Sequence, residues 1–439
     1  MTDISPGFLI NPSWIVPVIP TGIVLTDHCI VVQGERIIAL LPGKEARQQY
    51  PAWPCHDLPG HILTPGLINT HGHAAMTLLR GYADDLDLMD WLNNYIWPVE
   101  GEFVDYDFVY DGSSLAVAEM ISTGTTCAAD TYFFPTAVAS AFTDNKFRGQ
   151  VCMPVIQFSN AWANGEQEHI HKGLAFHDDH KNNHLINTAF APHAPYTVTD
   201  KGFEQIGVYA DELQIPIHLH LHETEDEVNT AVGETGRRPI QRMSELGLLS
   251  PALQAVHMTQ MTNEEIDLIF KTGVHVIHCP DSNLKLASGF CPVTKLMAKG
   301  VNLGVGTDGA ASNNNLDMLT EIRSGALLAK GVSGSALSVT AEQALAMGTI
   351  NGARLLGLDQ DIGSIEVGKL ADLIAVDLSA HNFQPVHNPM SQLIYSATGH
   401  QVSQVWINGE HLLKDNILTQ IDLTGLMSNV RQWQEKLHS

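Results

Sequence analysis

Positive charge is what this 439-residue sequence has least of. Lys and Arg total 23 against 48 Asp and Glu, a formal net charge of −25. No Lys or Arg stands between Arg80 and Lys146. Such an excess of acid repels phosphate backbones and anionic headgroups alike, which excludes nucleic acid and membrane surfaces as partners. Cysteine is scarce and scattered: Cys29, Cys55, Cys127, Cys152, Cys279 and Cys291 form no CxxC pair. Neither a zinc ribbon nor a redox couple is expected, and the thiols fit a reducing compartment. The N-terminus has no basic leader, the first cation being Arg36. No apolar run reaches the ~18 residues needed to span a bilayer, so a cytoplasmic protein is the expectation. What is present is ordinary core material, 44% hydrophobic residues with 36 Gly and 21 Pro, together with 22 His. The length suits one large barrel with an appendage, or two to three ordinary domains.

Between Leu63 and Asp308 short β-branched runs alternate with longer helical stretches. Strands are predicted over 62–70, 125–131, 151–158, 185–191, 215–222, 254–257, 274–279 and 301–307, with helices such as 107–121, 200–213 and 263–271 among them. Eight alternating units predict an α/β fold, a (β/α)8 TIM-like barrel. An open doubly wound sheet would place a Gly-rich phosphate loop after its first strand, where this chain has His71-Gly72-His73. The chain ends read differently. Short strands at 22–25, 30–33 and 36–41 have counterparts at 372–376, 402–407 and 411–413, the last two joined by the hairpin signal Asn408-Gly409. Neither end makes a core alone, so both termini are expected to form one small β-sandwich domain. The expected division is 1–63 for its first part, 64–362 for the barrel and its C-terminal helices, and 363–439 for the rest with a terminal helix.

His71 and His73 end the first predicted strand, and residues i and i+2 of a strand face the same way. That spacing suits two nitrogen ligands on one metal ion. The fifth strand carries His218, His220 and His222, followed by Glu223. Three stacked imidazoles in a core are costly unless paired, so one of them is read as a third ligand. Spacing leaves His220 and His222 both open. Asp308 ends the eighth strand, where a carboxylate would be expensive without a cation. His193 and His257 follow strands four and six. Strands one, four, five, six and eight thus each bring His or Asp to the C-terminal mouth, where barrel enzymes keep their reacting groups. Strand four has no Lys to bridge a second metal, so a mononuclear site is expected, zinc first and iron second. His169, His171, His177, His180 and His184 read as a solvated helical region. His278 reads as a hydrogen-bonded support behind the ligands, and Asn283 as positional.

The run Pro65-Gly66-Leu67-Ile68-Asn69-Thr70-His71-Gly72-His73 resembles the opening motif of the amidohydrolase superfamily, and its continuation through Met76-Thr77-Leu78-Leu79-Arg80-Gly81 is similar to the nucleoside and triazine branch. So are His220-Leu221-His222-Glu223-Thr224, Ser282-Asn283-Leu284-Lys285-Leu286 and Gly306-Thr307-Asp308-Gly309-Ala310-Ala311-Ser312-Asn313. Within the branch the chain most resembles the 5′-methylthioadenosine/S-adenosylhomocysteine deaminases over nearly its whole length. The resemblance implies metal ligands His71, His73, His220 and Asp308. It implies Glu223 as proton shuttle, His257 beside the attacked carbon, His193 on the base and Glu100 on the ribose hydroxyls. It implies hydrolytic deamination of an adenine nucleoside to the inosine analogue and ammonia, with one divalent metal per subunit and a small-molecule nucleoside as partner. Barrels of this kind are commonly homo-oligomers.

One departure bears on the substrate. Members that accept S-adenosylhomocysteine are expected to hold its carboxylate with Arg residues after strand three, but no Arg occurs between Arg148 and Arg237. The corresponding loop, Asn160 to Glu166, is apolar and acidic, and Trp162 is expected to help wall a pocket for a methylthio group. Methylthioadenosine and adenosine are therefore expected over S-adenosylhomocysteine. The alternative is a deaminase or chlorohydrolase of the same branch acting on guanine, a pterin or an s-triazine. Cyclic-amide hydrolysis is disfavoured by the missing strand-four Lys, and an inactive scaffold by the intact ligand set.

Overall fold

The computed structural model describes residues 7–438. Eight parallel strands form one sheet in sequence order: Leu67–Gly72, Thr125–Thr131, Arg148–Val155, Ile186–Pro192, Ile217–Leu221, Leu253–His257, His275–His278 and Leu303–Val305. Their residues are almost all buried, as a sheet covered by helices on one face and closed on the other requires. Side chains and loop backbone close the barrel between its last and first strands. Thr70 Oγ1 donates to the Val305 carbonyl at 2.9 Å, Asn69 Nδ2 to Thr307 Oγ1 at 2.7 Å, and the Asp308 N–H to the His71 carbonyl at 3.0 Å. Gly306 permits this approach, since a Cβ there would lie 2.7 Å from the His71 nitrogen.

The predicted first strand, 62–70, is two strands. Cys55–Pro65 belongs to the other sheet, pairing parallel with Gly7–Ile15 and antiparallel with Leu373–Asp377. The chain crosses at Gly66, where a side chain would run into Thr126, and only Leu67–Gly72 enters the barrel. A continuous apolar run cannot show such a crossing, because both halves are buried. The second sheet has eight mixed strands, in the order Ile417–Leu418, Glu410–Lys414, Val402–Ile407, Leu373–Asp377, Cys55–Pro65, Gly7–Ile15, His28–Gln33 and Arg36–Pro42. The sandwich expected from both ends is this one sheet folded over its own core of Ile10, Ile30, Leu63, Leu373 and Trp406. Asn408 and Gly409 both have positive φ, 50° and 74°, as the hairpin signal requires. The predicted strand at 22–25 is a turn held by one bridge, Ile15 to Leu25. A buried ion pair, Arg148 Nε to Asp372 Oδ2 at 2.9 Å, ties this sheet to the third barrel strand.

The histidine-rich helix, Glu166–His180, is only partly solvated. His171 is exposed, but His169 is fully buried, its ring bonded to Asn160 Nδ2 at 2.9 Å and the Gly165 carbonyl at 2.9 Å. Among the described residues no helix is long and apolar enough to cross a membrane.

Candidate metal centre and substrate cavity

His71, His73, His220 and Asp308 meet at the mouth of the barrel. His71 and His73 turn their Nε2 atoms to Asp308 Oδ1, at 3.3 and 3.2 Å, and His220 Nε2 lies 3.2 Å from His71 Nε2. Which nitrogen of each ring carries the proton follows from the outer contacts. His73 Nδ1 lies 2.6 Å from the Thr131 carbonyl, and His220 Nδ1 2.7 Å from the His193 carbonyl. A carbonyl only accepts, so both rings are protonated on Nδ1. For His71 the chain is longer. The Leu355 carbonyl accepts from Gln254 Nε2 at 2.8 Å, which turns Gln254 Oε1 to His218 Nδ1 at 2.9 Å. Burial lowers the His218 pKa to about 4, so this neutral ring offers Nε2 as an acceptor to His71 Nδ1, 2.8 Å away.

His71, His73 and Asp308 bring their donor atoms within 4.8 Å of one another, and His220 joins them through His71; buried imidazoles around a carboxylate suit a cation. Donors on a tetrahedron with bonds of ~2.0–2.1 Å stand about 3.3 Å apart, which the separations of His71 and His73 from Asp308 and of His220 from His71 fit. Burial drives His71 and His220 well below the ordinary imidazole range. Burial also works against a charged His73, but Asp308 overrides it and raises the ring to about 9. Burial likewise opposes ionisation of Asp308, yet the facing imidazoles keep it well below the usual carboxylate range. Its Oδ2 accepts from Ser282 Oγ at 2.7 Å and its Oδ1 from the Gly309 N–H at 2.8 Å. His222, which spacing left open, is turned elsewhere. Its Nδ1 lies 3.0 Å from the Gln260 carbonyl, and its Nε2 accepts from the Ile240 N–H at 3.1 Å.

Glu223 and His257 stand beside this centre. His257 Nε2 is 3.8 Å from Glu223 Oε2, and its Nδ1 is 2.9 Å from Asn283 Oδ1. His71, His220 and His257 also bring ring nitrogens within 4.8 Å of one another. Burial, then repulsion from Asp308, pushes the Glu223 carboxyl up, against the attraction of His257. His222, His257 and Asp308 all have positive φ, 54°, 73° and 63°. Backbone strain of that kind, about 1–3 kcal/mol each, gathers where a site must aim its side chains.

A cavity of about 450 Å³ opens above, lined by Glu100, His193, Glu223, His257 and Asp308 among others. Tyr132 Oη donates to Glu100 Oε1 at 2.6 Å, and burial raises Glu100 to about 7. Burial lowers His193 to about 4. Trp162 does not line the cavity. It is buried behind the loop, edge-on to His169 with centroids 5.3 Å apart, while Phe158, Ser159, Asn160 and Ala161 form the wall there. A tryptophan next to a wall residue reads as a wall residue, and only packing against a helix histidine decides otherwise. His278, expected to hydrogen-bond behind the ligands, is buried with neither ring nitrogen bonded.

Sequence reasoning passed over Glu227. Its two oxygens accept the N–H groups of His222 at 3.1 Å and Glu223 at 2.7 Å, fixing the turn that aims Glu223. Its position four residues after Glu223 was the available signal. Ser282 and Tyr132 were missed as well, since each acts across chain segments far apart in sequence.

The pattern of the Amidohydrolase family matches residues 62–412. A 5-methylthioadenosine/S-adenosylhomocysteine deaminase of Teredinibacter turnerae is 49% identical over 430 residues, 98% of this chain and 97% of that one. One of the same name from Saccharophagus degradans is 46% identical over 441 residues, 100% of this chain and 99% of that one. Among solved structures, an adenosine deaminase from Xanthomonas campestris with bound zinc has a TM-score of 0.97 at 47% identity, covering 99% of both chains. A zinc-containing atrazine chlorohydrolase from Arthrobacter aurescens, 22% identical with a TM-score of 0.90, covers 97% of this chain and 99% of its own and shares the fold.

Proposed function

This chain belongs to the amidohydrolase family, in the group of 5-methylthioadenosine/S-adenosylhomocysteine deaminases, and from that premise we propose its preferred substrate and the part each residue plays. It is a metal-dependent hydrolase that deaminates an adenine nucleoside. The substrate it favours is 5′-methylthioadenosine, with adenosine next and S-adenosylhomocysteine behind. The observation that carries this order is the cavity lining, which contains Leu88, Leu92, Ile156 and Phe158 and, among the described residues, neither Lys nor Arg. A methylthio group needs only such an apolar wall. The carboxylate of S-adenosylhomocysteine would meet no fork of donors.

A zinc ion, suited to three imidazoles and one carboxylate, would be held by His71, His73, His220 and Asp308 and would supply an acidified water at neutral pH. Asp308, its plane fixed by Ser282, would take up a proton from water. Glu223, whose carboxyl burial pushes up, donates a proton to the ring nitrogen beside C6 and offsets the charge gathering there. His257, oriented by the Nδ1 contact with Asn283 Oδ1, stands beside the oxygen that forms at C6. His193 contacts the base, and Glu100, oriented by Tyr132, accepts from the ribose hydroxyls. The proton taken by Asp308 passes to the C6 amino group, the new C6 hydroxyl returns a proton to Glu223, and ammonia leaves with the inosine analogue remaining. The six free thiols suit the cytoplasm as its compartment.

An ultraviolet assay of 5′-methylthioadenosine, adenosine, S-adenosylhomocysteine and guanine tests the reading. Turnover of the nucleosides without turnover of guanine is expected. Turnover of free guanine but of no nucleoside would overturn it.

A further inference from the structure

Glu321 is a fully buried carboxylate outside the cavity lining, on the helix Met318–Ser333. Burial, and then repulsion from Asp281, holds it well above the usual carboxylate range. No Lys or Arg is paired with it among the described residues. A carboxylate this expensive needs a reason.

Its two oxygens serve two different segments. Oε1 accepts the Asp281 N–H at 3.0 Å, at the start of the short helix Pro280–Lys285 that follows barrel strand seven. Oε2 accepts from Asn313 Nδ2 at 2.8 Å, in the segment that follows strand eight. That same Asn313 amide donates to the Thr307 carbonyl at 2.7 Å, one residue before Asp308. From the first segment Ser282 Oγ reaches Asp308 Oδ2 and touches Ser312 Oγ at 3.0 Å, and its neighbour Asn283 meets His257 Nδ1. One segment carries Asp308, and the other carries the groups that orient Asp308 and His257. Glu321 is bonded to both from the buried side, as the more exposed Asp84 is through Lys285 and Asn314 at their far ends.

We propose that Glu321 is a positioning residue for the deamination, clamping the segments after strands seven and eight so that Ser282 fixes Asp308 and Asn283 fixes His257. It touches neither substrate nor metal and acts through those four residues. The proposal rests on the roles given above to Asp308 and His257. If the wild-type enzyme deaminates no nucleoside, those roles fail; if it does, the variants below judge Glu321 separately.

The conservative test is Glu321→Gln, which keeps the shape but leaves one of the two N–H donors facing an amide rather than an acceptor. The expected result is a fall in kcat of about tenfold or more, since a small misplacement of reacting groups is costly. KM stays within about threefold, and the metal remains at one ion per chain by elemental analysis. Combined with Ser282→Ala, the loss is less than the product of the two single losses, because both variants release the same carboxylate. Wild-type kcat in Glu321→Gln overturns the proposal. So does a fall in kcat that merely tracks lost metal or a lowered Tm, and so does full multiplicativity with Ser282→Ala. If Glu321→Gln does not fold, Asn313→Ala decides, since it cuts the same clamp at its other end. It is expected to lower kcat at unchanged KM, and wild-type turnover in that variant overturns the proposal.

Discussion

At the floor of the cavity His71, His73, His220 and Asp308 are each held by a second bond, whereas the apolar side chains of its outer wall are held by packing alone. His71, His73 and His220 have their outer nitrogens engaged by His218, Thr131 and His193, and Asp308 is held by Ser282 and Gly309. Leu88, Leu92, Ile156 and Phe158 have no polar atom to be held by, and Phe158 is 59% exposed. The difference separates two tasks. Proton transfers demand fixed atoms, so the floor sits on strand ends and a connected polar network. Discrimination among 5′ substituents demands only the right surface, which loops supply.

The sharpest way to break the comparison is to remove the proton donor from the floor. Glu223→Gln is expected to lower kcat by about 10²–10⁴-fold while elemental analysis still finds the metal. Near-wild-type turnover in that metal-replete variant would contradict the role. Glu100 comes next, lying between floor and wall. Losing a charged acceptor is worth ~1.5–3 kcal/mol, so Glu100→Gln should raise KM by about 10–150-fold with a smaller change in kcat. Burial lifts the Glu100 carboxyl to about 7, and only its ionised form accepts strongly from both ribose hydroxyls. KM for 5′-methylthioadenosine should therefore fall as pH rises from 6 to 8. The Gln variant should lose that fall, and steady-state kinetics across this range checks both. On the wall the effects shrink. Phe158→Arg supplies a cation where none lines the cavity, and kcat/KM for S-adenosylhomocysteine should rise about tenfold relative to 5′-methylthioadenosine. Phe158→Ala should cost about fourfold in KM for 5′-methylthioadenosine, the worth of ~0.8 kcal/mol for one methyl group's burial, with kcat unchanged.

The floor was more legible in the sequence than the wall, for the same physical reason. His71 and His73 share a face by strand geometry, and Asp308 at a strand end is too costly to be idle, so type and spacing point to chemistry directly. Between His220 and His222 periodicity is silent, and the hydrogen bonds of His222 to Gln260 and Ile240 are what separate them. Trp162 has the composition of a wall residue and the position of a packing one. Glu227 acts through backbone N–H groups and is signalled only by standing four residues after Glu223, and Glu321 acts through two segments at once, which leaves no spacing to read. The crossing at Gly66 was hidden because Ile62, Leu63, Leu67 and Ile68 are all buried, in two different sheets.

The most direct measurement is kcat/KM for 5′-methylthioadenosine and S-adenosylhomocysteine on the same metal-replete preparation. A cavity lined by neither Lys nor Arg should favour 5′-methylthioadenosine by about tenfold or more, the worth of unmade hydrogen bonds to one carboxylate. An equal or higher value for S-adenosylhomocysteine would contradict the account.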